Sequence, residues 1–226
     1  MTKQDLVEKI IQDEWTMFAS VNNVGGKADC QDDKQSFQIM RHAQMTVLPA
    51  HVLQSYADDI ERAKAQGRNL MTEKYGYMMK YTFPSEFDRI KELLPPVTPE
   101  KDLMAVKIAK IFTECTMETY RKYPLLVSQG RPVETKDDMY SIVSSESYFN
   151  CELLTLSEDT LSLYLQFAEK ERAAGHNIHE RILKDTIAAY GFSSLEEAEE
   201  NLRLAAEKRK AMGLDRIATE LCTNCR

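Results

Sequence analysis

The residues of this 226-residue chain best suited to do chemistry crowd into one loop. The stretch from Asn22 to Asp33 (NNVGGKADCQDD) sets two glycines, the Cys30 thiol and the carboxylates of Asp29, Asp32 and Asp33 between two amphipathic segments. A thiol just ahead of a helix N-terminus gains thiolate character, whereas carboxylates beside it oppose ionisation. Cys30 is therefore a candidate nucleophile or ligand, and Asp32 and Asp33 are candidate acid/base groups or ligands. The plainer reading is a glycine turn followed by an aspartate N-cap. On the following helix Arg41 and Gln44 lie at i, i+3, close enough to address one anionic or amide-bearing ligand, or to meet the rest of the chain in a salt bridge. Glu73, Lys74 and Tyr77 on a later helix, with Tyr140, Ser145, Glu146 and Tyr148 in the second half, complete the polar candidates for substrate binding.

Metal chemistry has one opening. Cys222 and Cys225 stand at the spacing of a zinc or iron knuckle, but one pair is half a site. No second pair exists, so Cys30 or Cys151 would have to complete the ligand set from afar. His176 and His179 lack the helical spacing of zinc proteases and read as surface residues. There is no phosphate-cradling glycine loop and no serine nucleophile elbow. The eleven methionines fall mostly at helical core spacing, where methionine fills gaps.

The elements that must position these groups are helices. Almost every segment carries a 3.6-residue apolar period, and no alternating strand pattern is present, which predicts an all-α fold. Thr2 with Asp5 caps a first helix ending near Val21. Asp32 or Asp33 starts a second, running to about Gln44 with Phe37 and Met40 inward. Pro49 opens a third with Leu53, Tyr56, Ile60 and Ala63 inward; it stops at Gly67, and Asn69 caps the next. A short helix from Pro84 to Leu94 leads to the stiff junction Pro95 to Pro99. Beyond it come a long helix capped by Thr98, an irregular stretch from Ser128 to Tyr140, and a short helix from Glu146 to Leu154. Three more follow: one capped by Ser157, one by Asn177, and one from Ser194 to Gly213.

The chain also echoes itself. Leu53 to Asn69 (LQSYADDIERAKAQGRN) returns without gaps as Leu161 to Asn177 (LSLYLQFAEKERAAGHN), with six identities 108 positions apart. Glu14 to Met17 is echoed by Glu114 to Met117, and Gly26 with Asp32-Asp33 by Gly130 with Asp137-Asp138. The expectation is two divergent tandem helical repeats, residues 1–95 and 99–213, followed by a tail, 214–226, that carries the cysteine pair. The region after Asp32 should then face the region after Asp138.

A hydrophobic share of 43% with 29% charged residues suits a globular protein. A net charge of -7 and a pI near 5.3 argue against a nucleic-acid or anionic-membrane surface. No apolar run reaches the ~18 residues of a membrane span. The amphipathic, acidic N-terminus does not read as a secretion signal, and five cysteines at irregular spacing do not read as a disulfide framework. A cytoplasmic protein is expected.

The segments EWTMFASVNNVGGKADCQDD, SFQIMRHAQ, GRNLMTEKYGYMM and YGFSSLEEAEE together resemble an uncharacterised bacterial family, domain of unknown function 4125. NVGGKADCQDD is the most specific part. The resemblance covers nearly the whole chain and implies a stand-alone bacterial protein, with no reaction, cofactor or partner attached. Lys34 stands where the pattern has an aromatic, and Cys151 lies outside it, which weakens a shared metal role for Cys151. Three readings follow: a small-molecule or catalytic pocket between the halves around the GGKADCQDD loop, a thiolate metal or iron-sulfur site on Cys222, Cys225 and Cys30, and a helical scaffold for a protein partner. They leave open the reaction, the cofactor and the oligomeric state.

Overall fold

The computed structural model describes residues 1–22, 26, 31–139 and 142–212. Among them are eleven α-helices and no strand, as the apolar period predicts. In order they are α1 (Lys3–Ala19), α2 (Lys34–Thr46), α3 (Ala50–Ala65), α4 (Leu70–Thr82), α5 (Pro84–Ile90), α6 (Pro99–Lys122), α7 (Pro124–Val127), α8 (Ser145–Leu153), α9 (Glu158–Ala173), α10 (Ile178–Ala189) and α11 (Leu195–Ala211). The helix expected from Pro84 to Leu94 is α5 followed by a short 3-10 turn, Lys91–Leu93, and a second such turn, Thr135–Asp137, lies beyond the four-residue α7.

The helix ends follow local chemistry. The Thr2 side chain accepts from the Asp5 amide while the Asp5 carboxylate accepts from the Thr2 amide, a reciprocal capping box. Asp33, Asn69, Thr98, Ser144, Ser157, Asn177 and Ser194 each accept a backbone N–H of the first turn they precede. Gly67 and Gly175, at φ 67° and 73°, make the left-handed turns after α3 and α9 that a side chain resists.

The centre is the pair α3 and α9, which pack on each other, with α1 laid across α3 and α6 across α9. Leu53, Ile60, Ile108 and Leu161 are wholly buried there. Contacts then cross over: α2 reaches α10, and α4 reaches α8. The region after Asp32 thus lies against the second half, where Arg41 meets Glu152 of α8. The smaller α7, α11 and Phe192 region forms a satellite cluster around Ile187, Leu195 and Ala198.

Two expectations need correction. Met40 does not point inward; it is 51% exposed, because Arg41 takes the buried position on that face of α2. Nor does the Glu114 echo hold its place: Glu14 is wholly buried whereas Glu114 is exposed.

Asn69 and Asn177 each do two jobs. Beyond capping, their side-chain amides donate to the carbonyls of Met17 and Cys115, both at 2.9 Å, tying α4 to α1 and α10 to α6. Replacing either by alanine should lower the unfolding free energy by about 1–2 kcal/mol in urea titrations, since cap and tie are lost together.

Candidate functional site

The sequence candidates divide into those that meet and those that do not. Arg41, Gln44, Lys74 and Tyr148 come together in one buried cluster, joined by Glu14, Tyr56 and Glu152. The Arg41 guanidinium clasps Glu14 with two bonds, one of them Nε to Oε2 at 2.7 Å. Its remaining nitrogen donates to Glu152 at 2.9 Å and to the Gln44 carbonyl oxygen at 2.7 Å. Glu14 also accepts from the Tyr56 hydroxyl, and Lys74 donates to the other oxygen of Glu152. The Lys74 ammonium sits 3.7 Å from the centre of the Tyr148 ring, whose π system also faces Arg131 at 4.7 Å. Arg131 itself donates to the Val143 carbonyl at 3.1 Å.

Two carboxylates and two cations balance, which is what makes burial tolerable. Burial disfavours the charged form of Arg41, yet the Coulomb fields of Glu14 and Glu152 outweigh it and hold its pKa well above the ordinary value. Burial likewise pushes the Glu152 carboxyl up, but Arg41 and then Lys74 hold it well below the usual glutamate value. For Lys74 the burial effect is outweighed by Glu152, so its pKa is raised. Tyr56 is raised by burial and by Glu14, and Tyr164 by burial. Beside the cluster lies an enclosed cavity of about 10 Å³, lined by Tyr56, Glu152, Thr160 and Tyr164 together with Leu48 and Leu156. That is room for a single water.

The other candidates are elsewhere. Glu73 forms a two-pronged pair with Arg68, both contacts at 2.7 Å, across the Gly67 turn. Glu146 accepts from the Thr135 backbone and hydroxyl at 2.8 and 2.9 Å. Asp33 caps α2 through the Ser36 amide, and that bond lowers its pKa. Asp32 is exposed at the start of α2. Cys30, Tyr140, Cys222 and Cys225 lie outside the described residues. Cys151 is buried in the core with its thiol pushed up to about 12 by burial, despite Lys74 and Lys80 nearby. His179 is a correction to the surface reading: its Nδ1 is buried without a hydrogen-bond partner among the described residues, and burial pulls its pKa down to about 4.

Sequence reasoning passed over Glu14, Glu152 and Gln31. The signal for Glu14 was present, since Ile10, Ile11, Met17 and Phe18 place it on the apolar face of α1. Glu152 likewise stands among Cys151, Leu153 and Leu154. Gln31 is only 2% exposed and donates to the Phe18 and Val21 carbonyls, which fastens the end of the loop to the end of α1.

A different feature opens to solvent. Between α1, α2 and α10 runs a groove of about 510 Å³, with Gln4, Glu8, Gln12, Gln38, His42 and Asp185 on its walls and Ile11, Ile39 and Ala189 along its floor. Among the described residues no group of His, Cys, Asp and Glu is arranged to hold a metal ion, and no helix is long and apolar enough to cross a membrane.

Fold and site define an all-helical protein with a buried charge cluster between α1, α2, α4 and α8 and an open polar groove beside it. The chain belongs to the family described as protein of unknown function (DUF4125), whose model matches residues 4–200. No curated protein and no solved structure matches it.

Glu152→Gln leaves the Lys74 ammonium buried without an anion, and should cost about 3–5 kcal/mol in chemical denaturation, as breaking a buried pair does. Folded Glu152 releases its proton more readily than unfolded Glu152 does. Its stabilisation is therefore complete above the unfolded carboxylate pKa and fades as pH falls below that range toward the depressed folded value. The wild type should lose stability over that acid range, and Glu152→Gln should show a shallower loss.

Proposed function

We propose that this is a small-molecule-binding protein built from two related helical halves, with its ligand site in the groove between α1, α2 and α10. The observation that carries the reading is the groove itself. Its volume falls among the ~300–1,000 Å³ of ligand pockets, and it sets a few polar groups around an apolar floor. It also lies where the halves meet, with α1 and α2 from the first and α10 from the second. The charged cluster serves a different end in this reading. Its members pair with one another, and the cavity of about 10 Å³ beside it has space for one water, so in this reading it holds α2 against α8 rather than receiving a ligand.

Several observations support the kinship of the halves. Helices α3 and α9 start and stop 108 positions apart, and α4 and α10 start 108 apart. The turns at Gly67 and Gly175 and the double duties of Asn69 and Asn177 agree at the same offset. Buried Val7, Ile10, Ile11, Met17 and Phe18 of α1 answer to buried Ala105, Ile108, Ala109, Cys115 and Thr116 of α6. The cross contacts are reciprocal as well, α2 with α10 and α8 with α4. Kinship explains why a groove should exist: a pseudo-twofold body has two equivalent clefts, and one has stayed open.

Ala189 is exposed on the floor, so Ala189→Tyr should fill the groove at a helix-propensity cost of only about half a kcal/mol. Ligand-observed NMR on mixtures of small polar metabolites should find compounds that bind the wild type and are lost in Ala189→Tyr. Hits that bind both proteins alike, or no hits at all, would defeat the assignment of the groove.

A further inference from the structure

The two clefts differ in what fills them, and the difference points to the chemistry of the ligand. In the register that aligns α4 with α10, Asp185 takes the place of Tyr77 and Ala189 the place of Tyr81. On the α4 side that face is occupied by the chain itself. The Tyr77 hydroxyl donates to the Pro95 carbonyl at 2.7 Å, and the Leu94 side chain lies so close to Gly76 that a Cβ there would stand 2.6 Å from it. Tyr81 is half-buried against the core and lies beside Asn150, the counterpart of His42.

On the α10 side both rings are gone. Ala189 lines the groove together with Ile11 and Ile39. Where Tyr77 presents a donor, Asp185 presents an acceptor. One of its oxygens accepts from the Thr46 hydroxyl at 3.2 Å. Glu8, which also lines the groove, accepts from the Gln4 amide at 2.9 Å. Neither carboxylate has a salt-bridge partner among the described residues. Lys3 does not supply one, since its ammonium is directed at the Thr46 carbonyl, 2.6 Å away.

We infer that the groove takes a small primary amine with an apolar or aromatic body, the ring lying over Ala189, Ile11 and Ile39 and the ammonium turned toward Asp185 and Glu8. The inference rests on the groove being the ligand site, and it adds the class of ligand. A cation here gives Asp185 and Glu8 the ionic partner that no described residue supplies, and the ring takes the place of the Tyr81 side chain that the second half lacks. An anion of the same size would meet two like charges.

Phenethylamine and hydrocinnamate separate these outcomes, for they share a ring and spacer and differ in the sign of the terminal charge. With the full chain labelled on isoleucine methyls, millimolar phenethylamine should shift Ile11 and Ile39, and hydrocinnamate should not. Asp185→Asn should weaken the amine roughly tenfold, as expected for a lost charge-assisted bond, and Ala189→Tyr should abolish the shifts. Equal binding of hydrocinnamate, or an unchanged amine affinity in Asp185→Asn, overturns the cationic assignment; if Ala189→Tyr still removes that binding, the groove stands as the site. No shift with phenethylamine in the wild type overturns the inference alone. Shifts that persist in Ala189→Tyr overturn the groove with it.

Discussion

Arg41 is the residue on which the arrangement of the helices turns. Its guanidinium is taken out of water between Glu14 of α1 and Glu152 of α8, segments far apart in the chain. Such a charge is stable inside only when its donors are matched, and the planar fork of arginine suits two carboxylates better than an ammonium would. The match works only if α1, α2 and α8 lie in one relative placement. Lys74 extends the same logic to α4, because Glu152 shared between two cations fixes α4 and α2 on one surface of α8. A hydrophobic replacement of similar volume could hold these helices as firmly. It would not select this placement as sharply, since apolar side chains tolerate sliding and a buried carboxylate does not.

The fold was legible in the sequence wherever a local rule decides. Caps at Thr2, Asn69, Thr98, Ser157, Asn177 and Ser194, and stops at Gly67, Gly175 and Gly191, depend on groups within one turn. What local rules do not reach is the partner of a polar side chain. Arg41 and Gln44 were visible as a pair on one helix face, and Lys74 and Tyr148 as polar candidates, but nothing in their spacing says they meet. That depends on the crossing of α2 over α10 and of α4 over α8. Glu14 and Glu152 were hidden for the opposite reason: a glutamate within an apolar face looks like an interruption, until a cation from another helix is known to arrive. The Met40 misplacement has the same root, because counting apolar residues alone gives the buried position to methionine and leaves arginine outside. Asp33 shows the converse, for a capping role alone accounts for it.

The second helix joins the buried cluster to the open groove. Its inner face holds Arg41, Gln44 and Met45 against the cluster and the core, while Gln38, Ile39 and His42 line the groove. A helix fixed so firmly on one side presents the other as a rigid wall, which in the proposed reading lowers the ordering cost of a small ligand. The same helix follows directly on the glycine-rich loop, whose Gln31 is tied to the end of α1. The lock is thus also what keeps the groove in shape.

Under the proposed kinship of the halves, the difference between the two clefts follows from how the chain connects its helices. After α4 the chain passes through α5 to α6, and its path brings Pro95 to the Tyr77 hydroxyl and Leu94 against Gly76 of α4. After α10 the chain instead enters α11, which packs on α7. Asp185 and Ala189 are exposed, and large aromatic side chains at these positions would form an apolar patch, a state globular surfaces avoid. Aspartate and alanine remove that patch, and in doing so leave a cleft with a hydrophobic floor and a carboxylate at its edge. Under the proposed reading, the surface that stands in place of the two tyrosines has the composition an amine site needs, apolar side chains with a carboxylate at their edge.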